Sequence, residues 1–248
     1  MKSILLIGHG SLRPTSGAAM IRMASRLREC GAAPLVAAGF LNYSRPTLAE
    51  SAHRLRQRGA TVIIAQPYLL VPGYFSSTVL PRVIAGLRAA MPDLPVIQTE
   101  PLGAHPALAT LVRLRAHAAG ACRQSLLLLA AHGSSDPAAN VSVEAVAAML
   151  RAEDNYAVVG VCYLSLNQPD IPSAIAAHVV AGCRHIVVVP FLLQLGDHAA
   201  KDLPAIVGAA RMAHPDATII CAAHLGYDPL LARVIADRIA ALSSHLDN

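Results

Sequence analysis

The sequence repeats itself once, and this constrains the fold more than any other feature. His9-Gly10-Ser11 recurs 123 positions later as His132-Gly133-Ser134. Many glycines and prolines match at the same offset without a net gap, among them Pro46/Pro169, Gly59/Gly182, Pro67/Pro190, Gly73/Gly196 and Pro81/Pro204. A period this long indicates a duplicated domain, because solenoid units are only about 20–50 residues long. We therefore predict two halves, residues 1–118 and 124–248, joined by a stretch of small residues.

Each half alternates short apolar runs with segments of helical length. The predicted strands are 3–7, 35–40, 62–66 and 96–99, with counterparts at 126–130, 158–163, 186–189 and 218–221. The predicted helices are 16–29, 47–58, 78–90 and 106–119, with their repeats. This alternation is typical of an α/β fold with right-handed parallel crossovers. We predict two tandem, duplicated four-stranded parallel sheets in the order 2-1-3-4, with helices on both faces and a cleft between the halves.

The composition limits the classes of function. Hydrophobic residues make up 54% of the 248 residues and charged residues only 14%, which predicts a large buried fraction. No apolar run reaches the roughly 18–20 residues of a membrane span, and the first apolar run ends at Gly8, which favours a first strand over a signal peptide. We therefore expect a cytoplasmic protein that does not bind membranes.

Charge and cysteine usage narrow the range of partners. The net charge is +5, but the basic residues are scattered and form no block that would follow a nucleic-acid strand. This excess of positive charge is compatible with an acidic small molecule as ligand, and equally with a role in solubility alone. The five cysteines form no Cys-x-x-Cys pair, which disfavours a disulfide framework or a thiolate metal site.

Two histidines are expected to meet at one edge of the second sheet. His132 follows its first strand and His198 follows its third, and these strands are neighbours in the predicted order. Ligands of parallel α/β sheets bind beyond the carboxyl ends of the strands. Neutral imidazole binds Fe²⁺, Co²⁺, Ni²⁺ and Zn²⁺. Two histidines leave coordination positions open, unlike a structural zinc site with four protein ligands, so the metal would be delivered or used in catalysis. In the first half His9 faces Phe75, which cannot coordinate.

Motifs of other enzyme classes are missing. The sequence has no Gly-x-x-x-x-Gly-Lys-[Ser/Thr], so no nucleotide-driven mechanism is indicated. Gly8-x-Gly10 opens like a dinucleotide-binding fingerprint, but Arg13 takes the place of the third glycine. The Gly-x-Ser-x-Gly elbow of the α/β-hydrolases is absent as well.

The motifs together resemble a known family. They comprise Gly-His-Gly-Ser after the first strand, Phe40-Leu41 to Pro46 with its repeat Tyr163-Leu164 to Pro169, and the segment from Pro190 through Gly196-Asp197-His198 to Pro204. This pattern resembles the class II tetrapyrrole chelatases, in particular sirohydrochlorin chelatases of the CbiX/SirB type in their long, two-domain form. The resemblance implies a lyase that inserts Co²⁺ or Fe²⁺ into sirohydrochlorin without ATP, in cobalamin or siroheme biosynthesis. The divalent metal would be a substrate, and the octacarboxylate tetrapyrrole the partner.

The resemblance also assigns roles to residues. The two metal-binding histidines of the family fall on His132 and His198, and His9 matches in the first half as an auxiliary ligand or proton acceptor. Members often carry an acidic residue after the second strand, where this chain has Asn42 and Ser165. Residues on the strand-end loops or nearby are candidates for contacts with the macrocycle: Ser11, Ser134, Arg13 and Arg45, with Arg82 and Lys201 as further basic residues.

Two other classes of function stay open. One is a non-catalytic metal or tetrapyrrole carrier, which the missing acidic residue favours. The other is a phosphate-ester or dinucleotide enzyme that uses helix N-termini, against which the missing fingerprints count. The same ligands serve cobalt and iron, so the sequence leaves the metal open. A chain that already contains both halves needs no partner copy, which is compatible with a monomer.

Overall fold

The repeat folds into two parallel sheets of identical topology. The computed structural model describes residues 1–10, 17–194 and 197–246, without the side chains of residues 197–199 and 243–246. The first sheet has the order β2-β1-β3-β4. Its strands are β1 (Lys2–Gly8), β2 (Leu35–Phe40), β3 (Val62–Pro67) and β4 (Val96–Gln98). The segments between and after them form α1 (Ala18–Glu29), α2 (Leu48–Gln57), α3 (Leu80–Ala90) and α4 (Pro106–Ala118).

The second sheet has the same order, β6-β5-β7-β8. Its strands are β5 (Leu126–Ala131), β6 (Val158–Tyr163), β7 (His185–Pro190) and β8 (Thr218–Cys221), and its segments form α5 (Pro137–Ala152), α6 (Ile171–Val180), α7 (Asp197–Ala213) and α8 (Pro229–Leu246). The strand register repeats too, because Ile7 pairs with Pro67 in the first sheet and Ala130 with Pro190 in the second. The predicted fold class and strand order are confirmed.

Continuous apolar strands place a separate core around each sheet. β5 is buried along its whole length, as expected for a strand covered on both faces. Around the first sheet, Leu5 and Ile63 pack with Leu55 of α2 and Ile84 of α3. Burial of one such side chain stabilises the fold by about 1.5–3 kcal/mol relative to exposure, so these clusters fix the positions of the strand ends.

Polar residues define where the helices begin. Thr47 and Glu50 form a reciprocal capping box at the start of α2. Asp136 caps α5 and Asp170 caps α6 through side-chain acceptors. At α4 the cap is His105, whose Nδ1 accepts from the N–H of Ala107 at 3.1 Å. This histidine after the fourth strand therefore has a structural role.

The compact units do not follow the linear order of the repeat. One unit contains Met1–Gly103 with Tyr227–Asn248, and the other contains Ala104–Gly226. Thus α4, the last helix of the first copy, belongs to the unit that contains the second sheet, and α8, the last helix of the second copy, belongs to the unit that contains the first sheet. Equivalent arginines fix both helices: Arg115 of α4 donates to the carbonyl oxygens of His224 and Leu225, and Arg238 of α8 donates twice to that of Leu102. The halves 1–118 and 124–248 describe the repeat in the sequence, and as domains they remain a prediction.

The two copies differ where a helix follows the third strand. In the first copy a π-helical turn, Phe75–Val79, leads into α3, whereas α7 of the second copy is an α-helix from Asp197 onward. Single π-helical turns occur frequently at functional sites. The sequence predicted a helix only from residue 78, so the turn lengthens it at its N-terminal end. None of the described helices is long and apolar enough to cross a lipid bilayer.

Candidate functional site

The strand-end histidines are held by the backbone of the loop after the second strand. In the first copy the N–H groups of Leu41 and Asn42 donate to the carbonyl oxygens of Gly8 (3.1 Å) and His9 (3.0 Å). In the second copy Leu164 and Ser165 donate in the same way to Ala131 (2.9 Å) and His132 (3.0 Å). The parallel hydrogen-bond pattern thus continues through both histidines, and each imidazole projects from a fixed backbone.

The glycine that follows each histidine is required by this close approach. Gly10 has φ +88° and Gly133 has φ +92°, a region that other residues rarely adopt. A Cβ at Gly10 would collide with the carbonyl oxygen of Asn42, and a Cβ at Gly133 with that of Ser165. The His-Gly pair is therefore one structural unit in each copy: the glycine lets the neighbouring loop bond directly to the histidine backbone.

The ring orientation determines which nitrogen of each histidine can bind a metal. Nδ1 of His9 lies 3.2 Å from the carbonyl oxygen of Gly10, and Nδ1 of His132 lies 3.4 Å from that of Gly133. A carbonyl oxygen only accepts hydrogen bonds, so this contact favours the tautomer protonated at Nδ1. Nε2 then carries the lone pair. Because both histidines are exposed, Nε2 is accessible to a ligand from outside the sheet.

Phe75 occupies the position opposite His9. The two rings are 4.9 Å apart between centroids and tilted by 41°. The first copy thus brings together the strand-end histidine and the residue at the start of the following helix, as the topology predicted. An apolar ring cannot coordinate a metal, so this copy offers one imidazole at the position.

His198 lies in the first turn of α7, at the position equivalent to Phe75, and its side chain is outside the described set. Ser11 and Arg13, two of the predicted ligand-binding residues, also lie outside the described residues. Among the groups that the structure describes, no three His, Cys, Asp or Glu side chains are close enough together to hold a metal.

The loop after the second strand provides neutral groups near the histidines. Oγ of Ser165 donates to the carbonyl oxygen of His132 at 3.0 Å, and the exposed Asn42 occupies the equivalent position. Oδ1 of Asn167 accepts from the N–H of Ser134 at 2.6 Å. Sequence reasoning did not identify Asn167, and a neutral residue in a loop gives no signal for such a contact. The described part of this loop carries no carboxylate beside either histidine.

Two of the other candidate residues, Arg45 and Ser134, have structural partners. Arg45 forms an ion pair of 2.6 Å with Glu50, and the pKa of that carboxyl is lowered, first by the hydrogen bond from the Thr47 backbone. The Ser134 hydroxyl accepts from the N–H of Asp136 at 3.0 Å, next to the start of α5. Arg82 and Lys201 are exposed. Arg45 would therefore have to exchange Glu50 for a substrate carboxylate.

Fold and site together define a duplicated parallel α/β protein with an exposed histidine at the end of the first strand of each sheet. Comparison with known sequences shows which family the chain belongs to. The sequence profile of the CbiX family matches residues 3–119 and 126–242, and the chain belongs to this family. The resemblance inferred from the motifs is thus confirmed.

Relatives and solved structures agree with this placement. The chain is 24% identical to a sirohydrochlorin cobaltochelatase of Priestia megaterium over 243 residues, covering 96% of this chain and 79% of the relative. It is 23% identical to a sirohydrochlorin ferrochelatase of the same organism, covering 100% and 93%. Its fold is similar to that of SirB from Bacillus subtilis with Fe³⁺, with a TM-score of 0.88 at 21% identity over 99% and 97% of the two chains.

Proposed function

We propose that the chain inserts a divalent metal, Co²⁺ or Fe²⁺, into sirohydrochlorin without ATP, as a step of cobalamin or siroheme biosynthesis. In this proposal His132 and His198 hold the incoming metal, which is a substrate, and the first copy contributes His9 as an auxiliary group. The proposal rests on family membership together with the geometry of the first copy.

The observation that carries the residue assignment is the contact of His9 with Phe75. Two imidazoles that share a tetrahedral metal at the usual metal–nitrogen distance of about 2.1 Å have ring centroids roughly 5 Å apart. The centroids of His9 and Phe75 are 4.9 Å apart. Ile7 pairs with Pro67 in the first sheet, and Ala130 pairs with Pro190 in the second. In both copies the strand-end histidine follows the first member of this pair by two residues. Phe75 and His198 follow the second member by eight residues. We therefore propose that His198 supplies the second imidazole of the site, together with His132.

The chemistry requires a metal carrier and a proton acceptor. Two pyrrole N–H protons must leave as the metal enters the macrocycle. A neutral histidine can serve both purposes, because its ordinary pKa of about 6.5 allows proton uptake near neutral pH. In our proposal Nε2 of His132 and an imidazole nitrogen of His198 hold the metal, and each of these nitrogens takes up one of the two pyrrole protons once the metal has passed to the macrocycle. An open, two-histidine site favours delivery, since few bonds to the protein must be broken.

The electrostatics also suit the substrate. Sirohydrochlorin carries eight carboxylates, and the chain has a net charge of +5. We infer that arginines near the strand ends, Arg45 and Arg13 among them, attract the macrocycle. A monomeric, cytoplasmic enzyme is part of the proposal, and size-exclusion chromatography with light scattering tests the first of these properties.

A second candidate is a metal or tetrapyrrole carrier without turnover. The neutral residues Asn42 and Ser165 favour it, because the loop after the second strand supplies no carboxylate as a proton acceptor. Incubation of the protein with sirohydrochlorin and Co²⁺ or Fe²⁺ separates the two functions. A chelatase converts many equivalents of the macrocycle above the protein-free rate, as followed by the visible spectrum. A carrier shifts the spectrum only up to its own concentration.

A further inference from the structure

On three of the four outer strands, an arginine of the described residues donates to one backbone carbonyl. Arg88 of α3 donates from Nε (2.8 Å) and Nη2 (2.6 Å) to the carbonyl oxygen of Val96 on β4. Arg151 of α5 donates to Val159 on β6 at 2.9 Å, and Arg211 of α7 donates to Ile219 on β8 at 2.7 Å. In each case the arginine lies in the helix before an edge strand, eight positions ahead of the carbonyl that it caps.

The fourth edge has the matching arginine but lacks the bond. Arg28 of α1 lies eight positions ahead of Val36 on β2 and is the counterpart of Arg151. Among the described residues, no side chain donates to the Val36 carbonyl. The two copies also differ beside this arginine. Glu144 holds the guanidinium of Arg151 at 3.1 Å, and its counterpart in the first copy is Ile21. Arg28 therefore lacks the carboxylate that orients its equivalent.

The open edge lies at the bottom of a groove. A cavity of about 450 Å³ lies between α1 and α2, with residues 36–38 as its floor. This volume is within the ordinary range of ligand sites, about 300–1,000 Å³. Ile21, which is 49% exposed, forms an apolar part of the wall. Arg28, Arg54 and Arg58 also line the groove. No carboxylate of the described residues lies within 4.0 Å of their guanidinium groups, and Arg54 acts on Glu50 only through its charge, which helps to lower the pKa of that carboxyl.

The backbone of β2 is suited to pair with one more strand. The Ala38 carbonyl accepts from Oγ of Ser51 at 2.7 Å, so this residue directs its backbone groups away from β1. The backbone groups of Val36, two residues earlier, point the same way, because the direction of these groups alternates from one residue to the next along a strand. In a parallel ladder, a residue opposite Ala37 would donate to the Val36 carbonyl and accept from the Ala38 N–H. Sheet edges left open in this way bind extended segments in several protein families.

We propose that the β2 groove is a docking site for an acidic, extended segment of a partner protein, which adds a strand to the first sheet. Its backbone would pair with Val36 and Ala38, and its carboxylates would contact Arg28, Arg54 and Arg58. The charge argues against a second copy of this chain as the occupant, because pairing two β2 edges would bring two sets of three arginines together. On the counterpart strand β6, Arg151 occupies the matching carbonyl of Val159, and this strand provides an internal reference.

The test uses a defined probe and the full-length chain. The probe is a fluorescein-labelled, capped octapeptide of alternating Glu and Val, titrated at low salt and followed by fluorescence anisotropy. We expect saturable binding, and slower hydrogen exchange of the Ala38 amide in the complex. A Lys–Val octapeptide should not bind. A Glu–Val peptide with proline at alternate positions should bind at least tenfold more weakly, since proline has no N–H for the Val36 carbonyl.

Variants separate strand addition from simple attraction. Ile21→Glu should restore the ion pair to Arg28, close the edge as in the second copy, and weaken binding at least tenfold. Ile21→Gln keeps the size without the charge and should weaken binding much less. Arg54→Glu should also weaken it at least tenfold, whereas Arg233→Glu on α8 makes the same charge change outside the groove and should stay within twofold. Thermal unfolding confirms that each variant is folded.

Several results would overturn the proposal. They are equal binding of the proline-containing peptide, no effect of Ile21→Glu, or no binding of the Glu–Val peptide at all. A concentration-dependent dimer that disappears in Ile21→Glu would assign the edge to a second copy instead.

Discussion

Replacing Phe75 by histidine should give the first copy a metal site of its own. The centroid distance of 4.9 Å between His9 and Phe75 already matches the roughly 5 Å expected for two imidazoles on one tetrahedral metal. The contact of His9 Nδ1 with the Gly10 carbonyl leaves Nε2 as the ligand atom. We therefore expect the substitution to place a second donor near His9.

The magnitude follows from the number of ligands. Loss of an outer-shell partner already costs about 10–100-fold in metal affinity, so a second direct ligand should be worth at least about tenfold, or roughly 1.4 kcal/mol. Isothermal titration with Co²⁺ should show about one ion bound per wild-type chain and two per Phe75→His chain. In a His132→Ala background, Phe75→His should restore one ion.

Phe75→Leu is the matched control, because it removes the ring without adding a ligand, and it should bind like the wild type. If Phe75→His and Phe75→Leu bound the same number of ions with the same affinity, and both were folded, the inferred geometry of the histidine pair would be wrong in both copies.

Three further predictions concern the frame of the site and its charge. Gly133→Ala should destabilise the fold by about 1–3 kcal/mol in urea unfolding and weaken metal binding, because the new Cβ meets the Ser165 carbonyl. Gly120→Ala is the control: Gly120 has a similar φ of +88° but no atom near the position of a Cβ, so this variant should keep full metal affinity. Asp170→Ala removes the cap of α6 and should cost about 1 kcal/mol at pH 7. The Ser173 hydrogen bonds lower the pKa of Asp170, so this difference should be complete above the ordinary aspartate pKa and vanish as the pH falls through the lowered value; equal losses at pH 7 and pH 2 would contradict this. The affinity for sirohydrochlorin should fall as salt rises, since exposed charges are screened beyond about 10 Å at 0.1 M, and a salt-independent affinity would exclude a charge-steered site.

The sequence predicted the fold well, because each strand is a short apolar run bounded by glycine, proline or polar residues. The predicted strand 35–40 agrees with β2, and the predicted order of the sheets is confirmed. The sequence could not predict that α4 and α8 each belong to the unit of the other copy's sheet, since the apolar pattern of a helix is the same whichever sheet it packs on. The π-helical turn at Phe75 was missed because its polar residues do not show helical periodicity.

For the site, the sequence predicted which loops come together but not how their residues are bonded. The contact of His9 with Phe75 follows from neighbouring strands and was predicted. The ion pair of Arg45 with Glu50 depends on side-chain geometry, which the pattern does not specify. The open edge of β2 becomes visible only when Arg28 is compared with Arg151, because both copies carry the arginine and only one holds it in place.

The central claim is that the second copy carries the metal-inserting site through His132 and His198. The direct test is metal insertion into sirohydrochlorin by His132→Ala, His198→Ala, the double variant and His9→Ala, with Co²⁺ and Fe²⁺, followed by the visible spectrum. We expect each single change at 132 or 198 to remove most of the activity and the double change to add little, because the two residues act as one unit. His9→Ala should cost less. Loss of activity in His9→Ala together with an active His198→Ala would contradict the assignment and place the catalytic centre in the first copy.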